Sequence, residues 1–140
     1  MAKFRYRMQS ILNIKIQMES QAKMELGQAQ KRLSEEEERL EALYRRKDFY
    51  LEEGRKLRMD SLKVQSLRDN EYAVARMEEY IEAQKENVRK AEQQVEEARE
   101  KLQEVMKERK ALEQFMQEEN ARESKEVDEL TSYTYGQKRG

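Results

Sequence analysis

Cysteine, proline, histidine and tryptophan are all absent from the sequence, and glycine occurs only four times. Each absence removes a class of explanation. Without cysteine there is no disulfide framework and no thiolate chemistry, a pattern that fits a reducing compartment. Without histidine as well, the common catalytic triads and zinc sites have no members to draw on. No Gly-x-x-x-x-Gly-Lys-Ser/Thr loop is present to cradle a nucleotide phosphate. Carboxylates are plentiful, yet solvated helix faces offer little desolvation with which to tune them for catalysis. The chain reads as a protein that is not an enzyme, and it calls for no cofactor and no metal.

Long apolar runs are missing too. None approaches the ~20 residues that span a bilayer. The opening Met1-Ala2-Lys3-Phe4-Arg5-Tyr6-Arg7 lacks the apolar stretch of a secretory signal. The first acid is Glu19, so residues 3–15 have the composition of a basic amphipathic segment that an anionic membrane surface would accept. Over the whole chain, 29 basic and 30 acidic residues leave a net charge of −1, which supplies no basic field for nucleic acid. The local cluster Tyr44-Arg45-Arg46-Lys47 is surrounded by acids, which argues against nucleic acid there as well.

What is present is charge, 42% of residues, with only 36% apolar. Such a chain is either disordered or helical with a narrow apolar seam. The absence of proline favours long helices, since nothing interrupts the backbone hydrogen-bond ladder. Periodicity decides between the two. One row reads Val74, Met77, Ile81, Gln84, Val88, Ala91, Val95, Ala98, Leu102, Val105, Arg109, Leu112, Met116 in alternating steps of three and four. An earlier row reads Leu26, Ala29, Leu33, Glu36, Leu40, Leu43, Lys47, Tyr50, Gly54, Leu57. Disorder has no reason to keep such a period; paired helices do. Further upstream, Ile11, Ile14 and Met18 share a face one residue out of phase, which predicts a locally relaxed supercoil.

Between the rows the phase slips, and Asp60, Ser61, Ser66, Asp69 and Asn70 are residue types that cap or compete with helices. The expected organisation is a first long helix over 1–57, a connector over 58–70, a second long helix over 71–132 and a frayed tail over 133–140. The fold class is all-α, two long helices forming an antiparallel coiled-coil hairpin. Two chains mating through the same rows, a generic dimeric coiled-coil scaffold, would satisfy the same pattern. Large-against-small matching favours a register that sets Leu40 on Ala91, Leu33 on Ala98 and Leu43 beside Val88, with Lys47 beside Gln84 and Tyr50 beside Ile81. Sliding by one heptad sets Leu40 on Gln84, a poorer match. Glu–Lys and Glu–Arg pairs four residues apart, such as Glu41 with Arg45 and Glu52 with Lys56, suit solvent-facing flanks. Tyr44, Phe49, Tyr50, Tyr72 and Tyr80 exceed what a plain coiled coil requires, and such residues favour interfaces.

The string Lys3-Phe4-Arg5-Tyr6-Arg7-Met8-Gln9-Ser10-Ile11-Leu12-Asn13-Ile14-Lys15 resembles the opening of the FliJ family of bacterial flagellar export proteins. The likeness extends through a second helix opening at Tyr72 to Gln84 and a late stretch Lys125-Glu126-Val127-Asp128-Glu129-Leu130, while Ile16-Gln17-Met18 departs from the charged residues usual there. The resemblance implies a soluble, non-catalytic coiled-coil component of the flagellar type III export apparatus. Such a protein is cytoplasmic, peripheral at the cytoplasmic face of the membrane, and has no transmembrane segment. Its implied partners are the hexameric flagellar export ATPase, the membrane export gate protein and export chaperones, with no nucleic acid. Carried onto this sequence, the ATPase contact falls on Phe4, Arg5, Arg7 and Met8. The gate contact falls on Leu43, Tyr50, Met77, Tyr80 and Gln84.

Overall fold

The computed structural model describes residues 2–60 and 63–138, with side chains described over 3–60 and 63–132. Two helices account for nearly all of it: α1, Ala2–Met59, and α2, Val64–Lys138. No strand occurs among the described residues. The helices pack against each other in opposite directions, an all-α hairpin. Gly27 and Gly54 both sit inside α1 without a positive φ, so neither breaks the helix. Lys56 and Arg58 in the last turn of α1 complement the negative end of its dipole.

Among the described residues, only Asp60 and Lys63, between Met59 and Val64, lie outside the helices, so α1 and α2 reach well into the expected connector over 58–70. Ser61 lies outside the described residues. The Lys63 carbonyl accepts from the Ser66 and Leu67 N–H groups and starts α2. Ser66, Asp69 and Asn70 therefore fall inside the helix. Two of them are used there: Asp69 accepts from Gln65 at 3.0 Å, and Asn70 reaches across to α1. The helix also continues through Lys138, past Tyr133, where the tail was expected to fray; Arg139 and Gly140 lie outside the described residues.

The chain divides into two compact units, Met24–Arg99 and the terminal pair Met1–Lys23 with Glu100–Gly140. In Met24–Arg99, Met77, Ile81, Ala91 and Val95 are buried, as are Glu36, Gly54, Asn70 and Gln84. Both seam rows read from the sequence turn inward here, but their register differs from the expected one. The Gln84 amide donates to the Glu36 carbonyl at 2.9 Å and to the Glu36 carboxylate. The Asn70 amide donates to the Tyr50 carbonyl at 2.7 Å, and Lys47 pairs with Glu78 at 3.6 Å. Gln84 thus lies level with Glu36 rather than Lys47, and the pairing is slid by about one heptad from the large-on-small arrangement. Leu43 is not level with Val88, nor Tyr50 with Ile81. The physical reason is polar: a buried amide or carboxylate left unpartnered costs more than imperfect apolar matching.

In the terminal unit Leu12, Ala22 and Val105 form the apolar core. The seam of α1 runs through Met8, Leu12, Lys15, Glu19 and Ala22, keeping the same three-four spacing. Ile11, Ile14 and Met18 are instead exposed, at 44%, 55% and 42%. The seam accepts Lys15 and Glu19 because α2 supplies partners: Lys15 pairs with Glu108 at 2.7 Å, and Glu19 with Arg109. The expected change of phase upstream of Ala22 does not occur.

Candidate partner-binding surfaces

The first turns of α1 carry a surface of mixed character. Phe4 is 48% exposed, Arg5 and Arg7 are exposed, and Met8 is half-buried. Arg5 is ion-paired with Glu123 of α2, which fixes it against the opposite helix. Phe4 and Met8 line a small cleft together with Phe115 and Met116. Glu119 and Glu123 of α2 border the same cleft. Beside the cleft, Tyr6, Met116, Val127 and Leu130 line an open groove of about 1040 Å³.

Deeper in the same unit, the seam holds a charged cluster. Arg109 donates through Nε to the Glu19 carboxylate and through Nη1 to Glu113 at 2.9 Å, and Lys23 approaches Glu19 at 3.6 Å. Burial pushes the Glu19 carboxyl up, but the hydrogen bond and charge of Arg109, helped by Lys23, outweigh it and hold the group below the ordinary carboxylate range. The guanidinium of Arg109 is correspondingly raised, by Glu19 first and Glu113 second. This is an ion-pair network that closes a seam.

In the other unit the residues expected at the gate contact separate into two groups. Met77 and Gln84 are buried at 7% and 8%, inside the seam rather than on a flank. Leu43 and Tyr50 are half-buried, and Tyr80 is 45% exposed. Arg76 donates to the Tyr80 hydroxyl at 3.1 Å and lies 5.2 Å from its ring centroid, a cation over an aromatic face. The Tyr80 hydroxyl bond is the main reason that the Arg76 guanidinium is raised. Tyr44, Phe49 and Tyr72 are also exposed, and the Phe49 and Tyr50 rings meet edge to face with their centroids 5.7 Å apart. Of the five aromatics, only Tyr50 belongs to the seam.

Sequence reasoning missed the Gly54–Asn70 contact. A side chain at position 54 would overlap the Asn70 amide, so the absent Cβ is what admits it. A glycine on a seam row was the available signal. Among the described residues no cluster of acidic residues could hold a metal ion, and no helix is long and apolar enough to cross a membrane.

No curated protein and no solved structure matches the sequence. The model of the FliJ family, described as Flagellar FliJ protein, matches residues 4–140. That span contains both helices' seam rows, the exposed opening of α1 and the aromatic flank, and it identifies the chain as a member of the FliJ family of flagellar export proteins.

Proposed function

We propose that this chain is a non-catalytic coupling component of the flagellar protein export apparatus. It joins the hexameric export ATPase to the membrane export gate and to export chaperones, working in the cytoplasm and peripherally at the cytoplasmic face of the membrane. The observation that carries the reading is the exposed Phe4, Arg5 and Arg7 on the first turns of α1, within a chain that belongs to a flagellar family. Exposed apolar and basic side chains of this kind favour a protein partner.

The ATPase contact is Phe4, Arg5, Arg7 and Met8. The gate contact is centred on exposed Tyr80, with the outer edges of half-buried Leu43 and Tyr50 beside it. Met77 and Gln84 contribute from within the seam, by holding α2 where Tyr80 can be reached. A scaffold dimer built through the two seam rows is the weaker reading, because those rows are already covered within one chain.

Replacing Phe4, Arg5, Arg7 and Met8 together by Ala should leave the helical circular dichroism nearly unchanged. It should abolish stimulation of the cognate hexameric ATPase, while the wild-type chain stimulates without hydrolysing ATP alone. Full stimulation by the folded variant would move the contact elsewhere. No stimulation by the wild type would end the coupling reading.

A further inference from the structure

With the seam of α1 running through Met8, Leu12, Lys15, Glu19 and Ala22, a second row on the same helix is left uncovered. Phe4, Arg7, Ile11, Ile14 and Met18 follow one another in steps of three and four, the spacing by which one helix packs along another. All five are exposed. The four apolar members exceed two-fifths exposure, and Phe115 on α2, itself 43% exposed, lines the cleft beside Phe4. Isolated exposed apolar residues need no explanation, but a row with helical spacing does.

Charge narrows the occupant. From residue 3 to residue 18, α1 carries Lys3, Arg5, Arg7 and Lys15 and no acid. Arg5 and Lys15 are committed to Glu123 and Glu108, while Lys3 and Arg7 have no ion-pair partner among the described residues. Arg7 stands inside the row, between Phe4 and Ile11, and so asks for an acid on whatever lies against it. A second copy docking through the same row would offer Arg7 no acid in either orientation, since residues 3–18 contain none, and a parallel one would set Arg7 against Arg7. An anionic lipid surface would satisfy Lys3 and Arg7, but a planar surface makes no use of the three-four spacing of the row. A single acid-flanked helix of another protein answers both the three-four spacing of the row and its unpaired cations.

We propose that Phe4, Arg7, Ile11, Ile14 and Met18 form a docking row for one amphipathic helix of another protein. That helix carries a three-four apolar row flanked by Glu or Asp, and it adds a third strand to the terminal coiled coil. The row shares Phe4 and Arg7 with the proposed ATPase contact, but Ile11, Ile14 and Met18 lie outside it and the test contains no ATPase, so the two readings can fail separately.

The test uses the full chain and two synthetic three-heptad helical peptides with the same Leu row, one flanked by Glu and the other by Lys. The Glu-flanked peptide should bind, and the Lys-flanked one should bind at least about tenfold more weakly. Ile11→Gln with Ile14→Gln should weaken the Glu-flanked peptide by about tenfold or more, with circular dichroism unchanged because both positions face solvent. Arg7→Glu should reverse the preference between the peptides. The proposal is overturned if neither peptide binds, if both bind equally, or if the isoleucine changes leave binding intact. Two further results would also overturn it, each by naming a different occupant. One is capture by phosphatidylserine vesicles, lost with the isoleucines, without peptide binding. The other is a dimer in sedimentation that the isoleucine changes dissociate.

Discussion

Asn70 occupies the space that a side chain at position 54 would fill, and its amide closes on the Tyr50 carbonyl one turn away. In an open helix, Gly→Ala stabilises by about 0.5–1 kcal/mol. Here the added methyl must displace Asn70 and orphan a buried bond, at a cost of about 1–3 kcal/mol. Gly54→Ala should therefore lower Tm in the wild type and raise it in an Asn70→Ala background. Thermal melts of the four proteins check that reversal of sign. Glu19 makes a pH-dependent case. Its folded carboxyl titrates below the unfolded value, so the stabilisation is fully present above the ordinary carboxylate range and is lost as pH falls through the folded value. The Tm advantage of wild type over Glu19→Gln should be present at neutral pH and shrink once pH drops below that range. A constant difference across the series would remove Arg109 from the account.

For the helices, the central question is register. A Cβ built at position 54 lies 3.2 Å from Asn70 Cγ, close enough for the Cβ–Cβ separation of about 3.5–4.5 Å that a disulfide needs. Cysteines at 54 and 70 should therefore crosslink within one chain under mild oxidation, and cysteines at 43 and 88 should not. Gel mobility and mass spectrometry of the two variants separate these outcomes. The rows from Leu26 to Leu57 and from Val74 to Met116 were readable from spacing alone, since every member is buried or half-buried. The stretch upstream of Ala22 was not. Three apolar residues, Ile11, Ile14 and Met18, outweighed a seam that holds Lys15 and Glu19, because the partners that make those two acceptable lie some ninety residues away. The register was misread for the same reason: apolar volumes can be matched from one sequence, but the pairing of Gln84 with Glu36 emerges only across helices. Of the surface residues, Phe4 and Arg7 came through the family resemblance and Tyr80 from the excess of aromatics, whereas burial of Met77 and Gln84 was already implied by their own place in the seam row.

The chain as a whole joins exposed aromatic and basic side chains to a framework stabilised through a thin seam. Flank ion pairs such as Glu41 with Arg45 and Glu52 with Arg55 decorate solvent faces rather than close an interior. Among the described residues the buried apolar core is Leu12, Ala22, Met77, Ile81, Ala91, Val95 and Val105, with no large side chain fully enclosed. Heat capacity is where this economy becomes measurable. Unfolding raises it chiefly by wetting apolar surface, and globular chains gain about 12–15 cal/mol/K per residue. A chain that hides so little apolar surface should gain distinctly less in scanning calorimetry, and its free energy of folding should vary only gently with temperature. Its stability curve should be broad and shallow, so that cooling and warming change the strength of the helix pairing far less than they would for a compact domain of equal length.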